Sequence, residues 1–315
     1  MEYVVTGLTM LDKIAVNGQN VSESHLGGVP LYGYCGIRPY TKNVLFLSRV
    51  GRDFKKIFDP WFSDNEVPDE GVIYVSDETP YNVIDYDESG NVLSWEFMTG
   101  QWEDSDFWRP HEEDFEKVIG ADTKCLYLSE TPVMNDMWRK IFELKDAFGF
   151  KVMWEPNGIH SNKNFCKEIL ELSSRIEMVS FNVSEAKDIF SIEDERELLD
   201  FLKKLPCELV ILRVGKRGMY TISEGKICYV PSAPVPEGCE VVDVTGCGNC
   251  STAAAAYAWC EGKNMAETGI MANAASGYNL RQNGPVPLFS DQICEEIRKE
   301  ADVLYQLHSY QFISN

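Results

Sequence analysis

Residues 243–250 read Asp243-Val244-Thr245-Gly246-Cys247-Gly248-Asn249-Cys250, and a small-residue stretch from Ser251 to Cys260 follows at once. Glycines at 246 and 248 let the backbone turn tightly and leave its N–H groups uncovered. The alanines at 253–256 predict a closely packed helix, roughly Gly248–Glu261, whose positive end aims at the same turn. Together these features predict a cradle for an anion such as a phosphate under transfer. The plainer reading is a buried helix that starts on glycine and binds nothing.

At 315 residues and 44% hydrophobic content the chain can bury a full core, and 1–315 reads as one large domain or a domain plus an insert. No apolar stretch approaches the ~20 residues needed to span a bilayer. The opening Met1-Glu2-Tyr3-Val4-Val5 lacks a basic region and a cleavage site, and ten scattered cysteines show no framework spacing. Reduced thiols and a cytoplasmic location are therefore expected. A net charge of −21 argues against nucleic-acid and anionic-membrane partners. Any nucleotide must be held by local groups and a divalent metal working against that field.

Apolar, β-branched runs predict strands at Tyr3–Gly7, Val44–Val50, Lys124–Leu128, Lys151–Trp154, Met178–Phe181 and Leu209–Val214. Helical patterns lie between them at Asp136–Ala147, Asn164–Leu172, Ser184–Ile189 and Glu193–Leu205, and the last third is helical. Such alternation implies a mainly parallel sheet with helices on both faces. One segment departs from it. Val72–Val75, Tyr81–Tyr86 and Val92–Phe97 read as short strands with a hairpin turn at Glu88-Ser89-Gly90-Asn91, forming an antiparallel piece over about 66–108. Its aromatics, among them Tyr74, Tyr81, Tyr86, Trp95, Phe97, Trp102, Phe107 and Trp108, either pack on the parent domain or a second subunit, or form a lid over a ring substrate.

Five elements in order resemble the ribokinase-like (PfkB) family of carbohydrate kinases across nearly the whole chain. They are Gly27-Gly28-Val29-Pro30-Leu31-Tyr32, Val50-Gly51-Arg52-Asp53-Phe54, Asn182-Val183-Ser184-Glu185, Leu212-Arg213-Val214-Gly215-Lys216-Arg217-Gly218, and Asp243 to Asn249. The resemblance implies a three-layer α/β/α sandwich with a mainly parallel central sheet and a small antiparallel β lid, the lid drawing also on about 9–38. It implies ATP and Mg²⁺ as cofactors and a sugar-like acceptor. Some relatives pair their lids edge to edge, so a homodimer through the lid is expected.

Carried over residue by residue, the resemblance makes Gly246, Cys247 and Gly248 the anion hole that neutralises the moving phosphoryl group. Asp12, Gly27, Gly28 and Tyr32 become acceptor contacts; the family often has Asn at the last position. Asn182 and Glu185 resemble a pair that orients phosphate and Mg²⁺ through water, although Asn182 also reads as a helix cap. Arg213, Gly215 and Gly218 would bracket the nucleotide, with Asn273 facing the adenine or making a buried polar contact. Asp243, Thr245 and Gly284 match loop positions where some relatives hold a monovalent cation, which makes K⁺ a candidate.

Asn249 stands where the family carries its catalytic aspartate. A carboxamide can orient a hydroxyl but cannot take its proton near neutral pH, and losing a general base costs ~10²- to 10⁴-fold. Weakened chemistry, a substitute base, or a catalytically silent relative that binds nucleotide or sugar all remain open. Between Glu66 and Trp108 there are twelve Asp/Glu and no Lys or Arg. That charge favours a neutral sugar, nucleoside or amino-substituted sugar over a phosphosugar, unless it is simply a solvated face. Cys247-Gly248-Asn249-Cys250 also fits a Cys-x-x-Cys redox motif whose first thiol, near a helix N-terminus, should have a lowered pKa.

Overall fold

The computed structural model describes residues 1–18, 25–86, 92–97, 105–235, 238–307 and 312–313. Its strands are β1 (Tyr3–Thr6), β2 (Thr9–Val16), β3 (His25–Gly28), β4 (Val44–Gly51), β5 (Val72–Ser76), β6 (Tyr81–Tyr86), β7 (Val92–Phe97), β8 (Cys125–Glu130), β9 (Lys151–Pro156), β10 (Met178–Asn182), β11 (Leu209–Arg213), β12 (Gly218–Ser223), β13 (Lys226–Pro231) and β14 (Phe312–Ile313). The helices are α1 (Val29–Ile37), α2 (Phe54–Asp64), α3 (Ser105–Trp108), α4 (Glu112–Val118), α5 (Asp136–Phe148), α6 (Cys166–Ser173), α7 (Val183–Phe190), α8 (Glu195–Leu202), α9 (Cys247–Cys260), α10 (Met265–Asn279) and α11 (Asp291–Leu307).

The alternation along each strand sorts the layers. Tyr3, Val5, Phe46 and Tyr127 point to a core shared with α1, α2, α9, α10 and α11. Their neighbours Val4, Leu45, Leu47, Leu126 and Leu128 join a second core under α5 to α8. Two cores on opposite faces of one sheet make the three-layer sandwich. The sheet runs β14-β13-β12-β11-β10-β9-β8-β1-β4-β5. It is parallel from β5 to β11 and antiparallel beyond.

A second sheet, β3-β2-β6-β7, stands apart from it. Its β2–β3 and β6–β7 pairings are antiparallel, and β2 runs parallel to β6. The expectation that Val72–Val75 belongs to this sheet is corrected: β5 pairs parallel with β4 at the edge of the main sheet. The connection is α2, whose apolar Phe54, Phe58, Trp61 and Phe62 make it a crossover helix. The excursion from the main sheet therefore begins after β5. Of the lid-segment aromatics, Tyr74 is about half exposed on β5, Trp108 is fully buried, and Tyr81 lies under Lys13, 3.9 Å from Nζ to the ring centroid. The expected turn at 88–91 and the side chains of Tyr86, Trp95, Phe97 and Trp102 lie outside the described residues.

The β12–β13 hairpin was not among the expected strands. Glu224 and Gly225 both have positive φ, and Ser223 pairs with Lys226, so the link is a two-residue turn of the primed type.

Candidate active site

Helix α9 begins on a turn that is held from both sides. Asp243 accepts from the Thr245 N–H at 2.9 Å and from the Gly284 N–H at 3.1 Å. Gly246, at φ 73°, is the N-cap, where a side chain would be strained. No side chain among the described residues caps the helix; the Cys247 N–H turns back to the Val244 carbonyl at 3.3 Å, the next amides, of Gly248 and Asn249, face the opening of the turn, and residues 245–249 are half-buried rather than sealed in the core. A Cβ on Gly246 would collide with the Tyr32 ring, and one on Gly248 would collide with Nη1 of Arg213. An aromatic wall and a cation thus flank the turn. Behind it, Gly36 of α1 lies against the Cys250 carbonyl, which only a glycine permits.

The parallel strands β8 to β11 end in a polar row. β8 and β9 run two residues past their expected limits, which brings Glu130 and Glu155 to the sheet edge beside Asn182 and Arg213. Glu155 is buried and accepts from Tyr127 Oη at 2.6 Å, from Thr252 Oγ1 at 3.2 Å, and from Asn249 Nδ2. Arg213 Nη2 pairs with its second oxygen at 3.0 Å. The same Asn249 amide reaches Tyr127 Oη at 3.1 Å. Burial works against the charge of Arg213, but Glu155 and Glu185 outweigh it and hold the guanidinium above its ordinary pKa. Burial raises Glu185 above the usual carboxylate range; Arg213 and the Asn182 N–H oppose that, and Glu155 adds to it.

Asn182 and Glu185 form a reciprocal capping box: the Asn182 side-chain Oδ1 takes the Ser184 N–H at 3.0 Å, and the Glu185 carboxylate takes the Asn182 backbone N–H at 3.3 Å. Both the cap and the cleft position are present. A cleft of about 400 Å³ opens beside the turn, lined by Asn182, Arg213, Gly215, Gly218, Asn273, Cys247 and Gly248. Its outer wall carries Val241 and Val244, each about half exposed. Asn273 spends its amide on the Val230 and Pro231 carbonyls at 3.2 and 2.7 Å, so it shapes the wall that β13 forms.

On the other side of the turn, Asp12 is buried on β2 with its carboxylate against Gly27, where a Cβ would not fit. Asn82 of β6 donates to it at 3.0 Å and also touches Met10 Sδ. Burial pushes Asp12 up to about 6; the Asn82 bond works against the rise and Asp243 reinforces it. Gly28 needs its φ of 99° to pass the Leu8 carbonyl. A second cavity, of about 480 Å³, lies here, walled by Leu8, Met10, Val29 and Ile159, with Glu130 paired to Arg109 at 3.2 Å.

The structure brings together most residues expected at the site and adds three, Glu155, Glu130 and Arg109. The first two occupy the ends of parallel strands, where ligands of open α/β sheets bind, and that position was the available signal. Asp243, Thr245 and Gly284 do converge, but both Asp243 oxygens are engaged by N–H groups. The expected lowering of the Cys247 pKa is corrected: burial pushes the thiol up to about 12, against a bond from Asn279. All ten cysteines are free thiols, and no cluster of three metal-ligating side chains occurs among the described residues. No helix among them is long and apolar enough to cross a membrane.

Comparisons with known proteins agree with this architecture. The fold matches ribokinase from Arabidopsis thaliana complexed with ribose and ATP, at a TM-score of 0.73 and 20% identity over 95% of this chain and 98% of that one. It matches adenosine kinase from Sinorhizobium meliloti equally, at 0.73 and 19% identity over 95% and 98%. A stretch of 110 residues is 31% identical to the bifunctional protein HldE of a Nitratiruptor species. That stretch is 34% of this chain and 23% of the relative, so the match spans about a quarter of the relative's length. The profile of the pfkB family carbohydrate kinases matches residues 4–291. With that profile laid over nearly all of this three-layer fold, the chain belongs to the pfkB family of carbohydrate kinases, phosphotransferases that use an alcohol group as acceptor.

Proposed function

We propose that the protein transfers the γ-phosphoryl group of ATP to a hydroxyl of a neutral sugar, a nucleoside or an amino-substituted sugar. The observation that supports this most is the half-exposed Gly246–Gly248 turn, which has the 400 Å³ cleft on one side and Tyr32 with Asp12 on the other. The apolar rim at Val241 and Val244 suits an adenine ring, and the amides of the turn with Arg213 suit the phosphates. Asp12 would accept two acceptor hydroxyls, with Gly27 and Gly28 allowing close approach. Asn249 would orient the attacking hydroxyl through its carbonyl oxygen.

Glu185 and Asn182 offer oxygen donors at the cleft of the kind Mg²⁺ takes through water. When bound, that ion neutralises charge on the β- and γ-phosphates. K⁺ beside the Thr245 carbonyl fits less fully, because that carbonyl already accepts from Asn279 Nδ2 at 3.3 Å. The mostly apolar 480 Å³ cavity favours an acceptor carrying a flat or apolar substituent, and its one arginine, Arg109, is matched by Glu130. Ribose and adenosine, named for the two relatives above, bracket that class. Ten free thiols fit a reducing cytoplasm. Pairing between two copies through the small sheet, whose β3 and β7 are edge strands, fits the expected homodimer.

The test is ATP consumption with a panel of free sugars, amino sugars, nucleosides and fructose 6-phosphate. A neutral or amino-substituted acceptor should be turned over fastest. Faster use of fructose 6-phosphate would overturn the acceptor class. Ligand-induced rises in Tm without any ATP turnover would favour a silent binding protein instead.

A further inference from the structure

Glu155 is a buried carboxylate that none of the roles above uses, and it sits against Asn249. A carboxylate can only accept hydrogen bonds, so the group facing it at position 249 must donate. The Asn249 Nδ2 does so, and it also donates to Tyr127 Oη, which itself donates to Glu155. With both donors of the amide directed inward, Oδ1 is its only remaining polar face.

We propose that Glu155 is a positioning residue that locks the Asn249 amide with its carbonyl toward the acceptor hydroxyl, and that this makes a carboxylate at position 249 unworkable in this chain. The inference rests on the kinase reading for its catalytic half; the pairing itself does not. In the transfer, the acceptor oxygen forms the new P–O bond while the bond from the γ-phosphorus to the bridging oxygen of ADP breaks. The hydroxyl proton, which Asn249 cannot take, leaves on an oxygen of the transferred phosphoryl group. Supplying Asp at 249 would set two carboxylates within hydrogen-bond reach in a buried site, where they must share one proton. The other charged or titratable groups facing the pair are Arg213 from β11, Glu185 from α7 and Tyr127 from β8. Thr252 and Ser180, 2.9 Å apart, complete the shell without titrating. One arginine shared with Glu155 and Glu185 cannot neutralise a third carboxylate.

The experiment compares wild type, Asn249→Asp, Glu155→Gln and the double variant. Turnover is followed from pH 5.5 to 9 with the best acceptor of the panel, and Tm is followed over the same range. Asn249→Asp alone should lose about 10-fold or more in kcat at pH 7. Its Tm should fall relative to wild type as pH rises, because the native-state pKa of the new Asp lies above its unfolded value and stability drains away through that window. In the double variant the amide introduced at position 155 donates to the carboxylate introduced at position 249, and both losses should shrink. Glu155→Gln should lower kcat with the KM for ATP little changed. If Glu155→Gln does not fold, the Tm profile of Asn249→Asp decides alone. Asn249→Asp that works faster than wild type at pH 7 and melts with an unchanged pH profile would overturn the proposal. If wild type phosphorylates nothing, the Tm arm still tests the pairing, so the two failures are told apart.

Discussion

Two buried carboxylates lie in the neighbourhood of the α9 turn, Asp12 near Asp243 and Glu155 against Asn249, and they are treated in opposite ways. Among the described residues Asp12, on the small sheet, receives one side-chain donor, from Asn82, and burial pushes it up to about 6. Glu155, at the end of β9 in the main sheet, receives Tyr127, Asn249, Thr252 and Arg213. A carboxylate with four donors is complete and can serve as a fixed reference for its neighbours. One left short of donors is poised for hydroxyls that only a ligand can bring. On the proposed function, the contrast separates the part of the site that would position from the part that would recognise.

The strongest way to break this contrast is Asp12→Asn. Losing the charge-assisted bonds to acceptor hydroxyls should lower kcat/KM by about 10³-fold. The same variant should be more stable than wild type at pH 7. Because the folded pKa of Asp12 is raised, stability falls as pH climbs from about 4 through 6, and ionised Asp12 costs roughly 2–3 kcal/mol above that window. A Tm gain at pH 7 that vanishes near pH 4 is expected, and a Tm loss at pH 7 would show that Asp12 is already satisfied. Gly246→Ala comes next: left-handed backbone strain plus the rigid Tyr32 ring should cost about 2–4 kcal/mol in denaturant titrations. Gly248→Ala should be gentler on stability, since it displaces only the flexible end of Arg213, yet it should lower kcat about 10- to 100-fold. Smallest of all, mild peroxide or Cys247→Ser should change turnover by less than about 3-fold, because the buried thiol stays protonated.

Much of the site was legible because its members cluster within motifs. The 243–250 turn, the Gly27–Gly28 pair and Asn182–Glu185 each depend on local backbone geometry, which local sequence reports. Glu155 was not legible, because its partner Asn249 lies 94 residues away and meets it only through sheet register. Reading β9 as ending at Trp154 hid it further, since a Glu-Pro pair resembles an exit from a strand. β5 was misplaced for a related reason. Its sequence looks like any short strand, and only the crossover through α2 decides which sheet it joins. The Cys247 pKa went the other way from the helix-terminus argument because burial outweighed the helix field.

The contact of Gly36 with the Cys250 carbonyl welds α1, which bears Tyr32, to α9, which bears Asn249. These two helices form one closely packed anvil, against which the proposed reaction would align its groups. Any closing stroke over the acceptor is therefore expected of the small sheet, which carries Asp12 and Asn82 as paired neighbours.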